Sequence, residues 1–277
     1  MHLRAGAATD RGRVRKKNED VYLVRVDEGL FVVCDGMGGC QAGEVASRMA
    51  ADAILEELNG AAHESLPHVH DAGGYLAQTS RLGDAVRRSN QIIYERAQHD
   101  PERTGMGTTV VGAWISDNVA SLAHVGDSRA YLCRGRSLEQ LTRDHSLVEM
   151  QVESGVITRD QSSSSAYRNI LLRALGRMPE VDVELNEVPV RQGDYLLLCS
   201  DGLTRMVPED AVADAIVELR DPQAICNHLI DAANHNGGRD NITIVVVEVQ
   251  GAWWRRVVGR WTEHSGGGRD GHARSAM

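Results

Sequence analysis

A single phenylalanine stands in this chain of 277 residues, and aromatic residues make up only 4 % of it although 42 % are hydrophobic. A core of that composition is built from valine, leucine, isoleucine and alanine. The five cysteines (Cys34, Cys40, Cys133, Cys199 and Cys226) are odd in number and include no C-x-x-C pair. This excludes a fully paired disulfide framework, and three of the five fall in expected strands, so reduced core thiols in a cytoplasmic protein are expected. No run of 18 apolar residues is present, so no transmembrane segment is expected. The Arg-rich N-terminus lacks the apolar segment of a secretory signal. The phosphate-loop pattern G-x-x-x-x-G-K-[ST] is absent, as are H-E-x-x-H and any internal repeat. The net charge is −9, which disfavours nucleic acid as a general partner. The last 27 residues carry five arginines against Glu263 and Asp270, a surplus of +3 that leaves −12 on residues 1–250. Such an acidic unit suits a site in which carboxylates hold cations.

What is present begins with Leu30 to Cys34, an apolar run expected as a strand buried on both faces. It ends on Asp35, followed by Gly36, Met37, Gly38 and Gly39. Glycines there let the backbone turn sharply and approach a ligand. Two further strands are punctuated alike: Tyr195 to Ser200 runs into Asp201-Gly202, and Asp240-Asn241 leads into Ile242 to Val249. Each Asp-Gly pair alone is an ordinary turn signal. Together, three carboxylates from distant parts of the chain sit at strand ends.

In chain order, residues 1–20 read as polar and irregular. Val21 to Val26 and Leu30 to Cys34 read as a hairpin. Gly43 to Leu58 follows helical spacing through Ala46, Met49, Ala50, Ala53, Ile54 and Leu58. Tyr75 to Gln98 does so through Leu82, Val86, Ser89, Ile93 and Ala97. The intervening loop carries His63, His68 and His70, which without a partner cysteine read as solvated rather than as a zinc site. Thr108 to Ser116, Val119 to Val125 and Arg129 to Cys133 read as an antiparallel meander. A short helix is expected up to Glu153, then a surface flap around Ser162-Ser163-Ser164-Ser165. Val181 to Val188 and Tyr195 to Ser200 read as strands. Pro208 to Leu219 reads as a helix. Asp221 reads as the N-cap of another, with Pro222 at its first position and Ile225, Leu229, Ala232 and Ala233 inward. Helices do not alternate with strands, so antiparallel sheets covered by helices fit better than a doubly wound sheet. After Gln250, tryptophans alternate with arginines in a basic tail, expected to strap onto the domain and end in disorder.

Carboxylates without clustered His or Cys select hard cations such as Mg²⁺ or Mn²⁺. Two such ions sharing a carboxylate and a water generate a nucleophile at neutral pH. Asp35 is the natural bridging ligand, with the Gly36 carbonyl beside it. Asp201 and Asp240 complete one ion, and Asp20 orients coordinated water. Arg15 is placed to hold a phosphate bidentately. The combination suits phosphate ester hydrolysis.

The motifs taken in order resemble the metal-dependent Ser/Thr protein phosphatases of type 2C, in their bacterial form. The matching segments are Arg15-x-x-Asn18-Glu19-Asp20, Asp35-Gly36-Met37-Gly38-Gly39 with Gly43-Glu44-x-Ala46-Ser47, Gly107-Thr108-Thr109 and His124 to Arg129. They continue with Leu141-Thr142-x-Asp144-His145-Ser146, Arg168-Asn169 with Arg173 to Gly176, Leu198-x-Ser200-Asp201-Gly202-Leu203 and Asp240-Asn241-Ile242-Thr243. The resemblance implies an α+β, four-layer α-β-β-α sandwich of two antiparallel sheets flanked by helix pairs. It implies a catalytic domain over residues 1–250 with a flap at about 145–170, and a tail over 251–277. It implies two Mn²⁺ or Mg²⁺ ions held by Asp35, Gly36, Asp201 and Asp240, with a third, weaker one at Asp127 and Asp201. Arg15 takes the substrate phosphate. Met37 stands where some eukaryotic members have a histidine proposed as the general acid, and Cys40 where bacterial relatives often have one. The expected activity is dephosphorylation of phosphoserine and phosphothreonine in proteins, opposing a bacterial Ser/Thr kinase, by a cytoplasmic monomer. The rival readings are a pseudophosphatase that only binds partners and a two-metal phosphoesterase acting on small molecules.

Overall fold

In the computed structural model, residues 1–38, 42–59 and 70–251 are described. Eleven strands and seven helices among them arrange as two facing antiparallel sheets covered on their outer sides by helices. The first sheet contains β1 (His2–Asp10), β11 (Ile242–Gln250), β10 (Tyr195–Cys199), β7 (Arg129–Arg134) and β8 (Ser137–Gln140), in that spatial order. The second contains β2 (Asp20–Arg25), β3 (Leu30–Met37), β5 (Val110–Ser116), β6 (Val119–Val125) and β9 (Glu184–Pro189), with the two-residue β4 (Gly107–Thr108) pairing to the end of β3.

Between the sheets lies a layer of small aliphatic side chains, among them Phe31, Val33, Leu122, Leu196, Leu198, Val245 and Val247, all at most 1 % exposed. The chain's single phenylalanine is thus spent in this middle layer. Alternate residues of the same strands face outward to the helices. Val32 and Cys34 meet α1 (Ala42–Leu58) and α2 (Ala77–His99), while Leu197, Cys199, Ile244 and Val246 meet α6 (Glu209–Leu219) and α7 (Pro222–His235). Strands buried on both faces explain why these segments read as unbroken apolar runs rather than as alternating ones. Each fully buried leucine or isoleucine there contributes about 1.5–3 kcal/mol. Cys34, Cys133, Cys199 and Cys226 are buried free thiols, as expected; Cys40 lies outside the described residues.

Helix faces follow the sequence closely. Leu82, Val86, Ser89, Ile93 and Ala97 of α2 are all buried. Asp221 caps α7, accepting the Ala224 N–H at 2.9 Å, with Pro222 at the first position. Four expectations need correction. Residues 2–10 form β1, an edge strand paired along its whole length with β11. Its solvent-side polar residues hide the pattern, because an edge strand needs only a sparse inward set. The expected meander breaks after β6: β7 leaves for the other sheet and pairs with β10 and β8. Strand β8, which is largely exposed, carries no apolar alternation to announce it. The serine run is helical in part, as α4 (Arg159–Ser164), because Thr158 and Gln161 form a reciprocal capping box. The histidine loop at 63–68 and the Trp/Arg tail lie outside the described residues.

Candidate active site

Five aspartates meet at one end of the sandwich, where strands of both sheets terminate. Asp20 begins β2 and is the register partner of Asp35 in β3. Asp127 occupies the turn joining β6 of one sheet to β7 of the other. Asp201 is the first residue of α5 (Asp201–Thr204), two residues after the end of β10, and Asp240 lies two residues before the start of β11. The sequence-predicted site residues therefore gather in one place, and Arg15 joins them through a 2.7 Å hydrogen bond from its Nη2 to Asp240.

Local packing holds this cluster. Gly36 has no room for a Cβ: one would collide with the carbonyls of Gly43 and Glu19, so the start of α1 and the loop before β2 close directly on its backbone. Gly202 is confined in the same way by the Asn241 carbonyl. Thr109 fixes Asp35 from the side. Its hydroxyl oxygen accepts the Asp35 N–H at 3.0 Å, its own N–H donates to the Asp35 carbonyl at 2.9 Å, and its hydroxyl pairs with Ser128 at 2.7 Å. Ser200 donates to Asp20 Oδ2 at 2.8 Å and accepts the Thr243 N–H at 3.0 Å. Asn241 ties the N-terminal loop down: its Oδ1 accepts the Glu19 N–H, and its Nδ2 donates to the carbonyls of Arg11 and Lys17.

The electrostatics are those of a cation site. Burial, then the charges of Asp20, Asp201, Asp127 and Asp240, hold the Asp35 carboxyl well above the usual carboxylate range. Burial pushes Asp20 up to about 7 against the opposing hydrogen bonds of Thr243 and Ser200. Burial and then Asp201 push Asp127 up to about 8. Asp201 is raised by burial although Arg205 pulls it down. Two carboxylate oxygens, Asp20 Oδ1 and Asp201 Oδ1, are buried without any hydrogen-bond partner. Buried, mutually repelling carboxylates with orphaned oxygens fit divalent cations, whose charge would satisfy them together. Oxygen-only ligands indicate a hard ion.

Beside the aspartates opens a cavity of about 770 Å³, lined by Arg15, Asp127, Asp201, Asp240, Arg205 and Arg239 and, on the far side, by flap residues including Glu149, Arg159 and Arg168. The flap carries α3 (Leu147–Glu153), capped by Ser146, and α4. Its base is pinned by a bridge between Ser146 and Leu171 and by the Arg129–Asp144 pair, with contacts of 2.8 and 2.7 Å.

Arg205 was not a candidate from the sequence. Its Nη2 lies 2.5 Å from Asp201 and 3.2 Å from Asp127. The only cue was its position four residues after Asp201, which on a helical turn brings the two side chains together. A second histidine-bearing cluster also emerges from the structure. His124, His145 and Glu184 place three donor atoms within 4.8 Å of one another. The Gly126 N–H donates to His145 Nδ1, and Nε2 faces Glu184 at 3.1 Å with Arg173 at 3.4 Å. A guanidinium at the mouth of that trio makes it a hydrogen-bonded anchor for the flap base.

The model of the family described as protein phosphatase 2C matches residues 10–234. The serine/threonine phosphatase stp of Listeria monocytogenes serovar 1/2a is 38 % identical over 249 residues, covering 89 % of this chain and 96 % of that protein. The chain belongs to the protein phosphatase 2C family. It is a protein-serine/threonine phosphatase of that family, a hydrolase. The crystal structure of the Mycobacterium tuberculosis serine/threonine phosphatase PstP/Ppp superimposes with a TM-score of 0.80 at 35 % identity, covering 91 % of this chain and 100 % of that one. A structure of the catalytic domain of PstP in complex with two manganese ions gives a TM-score of 0.78 at 35 % identity, with 90 % and 99 % of the two chains covered. The phosphatase 2C relatives share the two-sheet α+β architecture. Among the described residues no helix is long and apolar enough to cross a membrane.

Proposed function

We propose that the protein hydrolyses phosphoserine and phosphothreonine in other proteins at a centre of two Mn²⁺ or Mg²⁺ ions, and so reverses the work of a Ser/Thr kinase in the cytoplasm. The catalytic unit on this reading is residues 1–250. The observation that carries it is the meeting of Asp35, Asp201 and Asp240 beside Arg15 at the strand ends, with buried carboxylate oxygens left unpaired.

Asp35 would bridge the two cations, the Gly36 carbonyl would ligate beside it, and Asp201 and Asp240 would complete one ion. Divalent ions there supply Lewis-acid charge and a bound water acidic enough to be a nucleophile near pH 7. Asp20, held by Ser200, would orient such a water by accepting its hydrogen bond. Arg15 binds the phosphate of the substrate. It uses one Nη2 contact to Asp240 in the free protein, and the remaining guanidinium donors stay available for phosphate oxygens. Asp127 sits further along the same acidic wall and, with Asp201, would be the place for a third ion. Met37 offers no proton, so that position supplies no acid for the leaving group.

The test is release of phosphate from a phosphothreonine peptide by the purified protein, with MnCl₂, with MgCl₂ and with EDTA, alongside Asp35→Asn. Turnover confined to the metal-loaded wild type, with a loss of about 10²-fold or more in the variant, supports the reading. A folded wild type that releases no phosphate with either metal would leave a partner-binding role instead. Preference for small phosphoesters over phosphopeptides would move the substrate class.

A further inference from the structure

The mouth of this acidic site is basic. The loop before β2 carries Arg11, Arg13, Arg15, Lys16 and Lys17 and wraps the corner that carries Arg239 and Asp240. The Arg13 N–H donates to the Gly238 carbonyl at 2.7 Å, and Asn241 Nδ2 holds the carbonyls of Arg11 and Lys17 at 3.0 and 2.8 Å. Two loops distant in sequence are thereby locked into one ridge. All six cationic side chains on it are exposed.

Only Arg15 has a carboxylate partner, Asp240. Among the described residues none of Arg11, Arg13, Lys16, Lys17 and Arg239 forms an ion pair, whereas Arg4, Arg25, Arg129 and Arg134 elsewhere each face a carboxylate. Of the acids nearby, Asp10 Oδ1 accepts from Gly12 and Asn234, Asp240 is taken by Arg15, and Glu19 feels Arg15 and Lys17 without forming an ion pair. A chain of net charge −9 has carboxylates in excess, yet five of the six cations on this ridge form no ion pair beside the cavity that Arg15 and Arg239 line. Like charges held this close repel, and an anion bound across them relieves the repulsion.

We propose that this ridge is a specificity surface for a second anionic group on the substrate, a phosphate or a carboxylate within a few residues of the phosphoserine or phosphothreonine being cleaved. It follows from the proposed role of Arg15. With the scissile phosphate on Arg15, polypeptide that leaves the cavity over this loop passes Lys16, Lys17, Arg13 or Arg239. An extended peptide advances about 3.3 Å per residue, so anions a few positions away fall on the ridge. The enzyme then favours acidic or multiply phosphorylated segments, and the selectivity resides in binding rather than in the chemical step.

The experiment uses three phosphothreonine peptides of equal length, with neutral flanks, with flanking Asp and Glu, and with a second phosphoserine. Each is assayed with Mn²⁺ at low and at high salt, on the wild type and on Arg13→Ala/Lys16→Ala/Lys17→Ala, with para-nitrophenyl phosphate as the flank-free control. The expected result is a KM about tenfold lower for the two anionic peptides, lost in the variant and at high salt, with kcat and para-nitrophenyl phosphate turnover unchanged. A larger gain with the second phosphoserine than with Asp and Glu assigns the ridge to phosphate; equal gains assign it to negative charge in general. Anisotropy of the labelled peptides reads the same preference as affinity without turnover. If no substrate is turned over but the anionic peptides still bind more tightly, the hydrolase reading falls and the ridge stands. Turnover with equal KM and equal affinity across the three peptides overturns the ridge alone.

Discussion

Arg205 Nη2 lies 2.5 Å from Asp201 and 3.2 Å from Asp127, so one guanidinium spans two acids that face the catalytic cavity. The sequence supplies a fixed cation where the acidic wall would otherwise attract a mobile one. Arg205→Ala is therefore expected to raise the affinity of the weakest Mn²⁺ ion by about tenfold, because the competing charge is gone. Isothermal titration with Mn²⁺ checks this. In EDTA the same variant is expected to lose about 2 kcal/mol, a buried-pair cost reduced by the partial exposure of Arg205. Unchanged ion stoichiometry and affinity would mean that the guanidinium swings aside without cost.

Metal removal should be felt by the fold as well as by the reaction. Asp20, Asp35, Asp127 and Asp201 all hold their protons more tightly than free carboxylates, first because they are buried and then because their charges repel one another. Each Mn²⁺ ion at about 100 times its Kd adds about 2.7 kcal/mol, which for a domain of this size is about 5–10 °C in Tm. Differential scanning fluorimetry in MnCl₂ against EDTA measures it. In Asp35→Asn the metal-induced rise should shrink by more than half.

The acid limb of stability is assigned to His124. Its ring is buried, and neither nitrogen has a hydrogen-bond partner of good geometry, the Ser128 backbone giving only a weak opposing contact. Burial first, then the facing His145, push its pKa down to about 3, with Glu184 opposing and Arg129 reinforcing. Above pH 6.5 the ring is neutral in both the folded and the unfolded chain, and its protonation costs nothing. Below 6.5 the unfolded chain takes up a proton that the native ring refuses, so stability falls steadily down to pH 3. At pH 5 the loss is about 2 kcal/mol. His124→Leu should flatten that limb by the same amount while changing stability at pH 8 by less than about 1 kcal/mol. Urea unfolding at pH 8 and pH 5 on both proteins gives the difference directly.

Much of this architecture was legible because the strands are buried on both faces and the helices on one. Leu30 to Cys34 and Ile242 to Val249 announce themselves as apolar runs, and the α2 face from Leu82 to Ala97 as a helical stripe. The elements that escaped are those whose stability comes from a partner rather than from their own pattern. Strand β1 is legible only once β11 is beside it, β8 only once β7 is, and the crossing of β7 to the other sheet leaves no local mark. The same division holds at the site. Asp35, Asp201 and Asp240 stand out as carboxylates at apolar strand ends. Arg205 looks ordinary in sequence and Thr109 enters only as part of a short motif, because their contacts with Asp127 and Asp35 join residues 78 and 74 positions apart.

Gly202 provides a strict steric test of how the loops carrying Asp201 and Asp240 meet. A Cβ there would fall on the Asn241 carbonyl. Neither atom can yield, because Gly202 follows Asp201 in α5 and Asn241 is anchored at both ends of its amide to the loop from Arg11 to Glu19. Gly202→Ala is expected to cost about 3 kcal/mol by forced overpacking and to lower Mn²⁺ affinity by displacing Asp201 and Asp240. Chemical denaturation and metal titration report the two effects separately.

Thr109 separates positioning from folding. Its hydroxyl oxygen accepts the Asp35 N–H and pairs with Ser128 across the gap between the sheets. Thr109→Val keeps the shape and removes both bonds. The orphaned Asp35 N–H and Ser128 hydroxyl are expected to cost about 1–3 kcal/mol of stability. The larger effect should fall on the reaction, because the freed backbone shifts the carboxylate proposed to bridge the metals. A displacement of about 1 Å at such a group lowers kcat by about 10²-fold. Thr109→Ser restores the hydroxyl without the methyl and should recover most of kcat while recovering less of the stability. A valine variant that loses stability but keeps kcat would show that Asp35 is held by the metals themselves, and that the hydrogen bonds from Thr109 serve only the packing of β3 against β5.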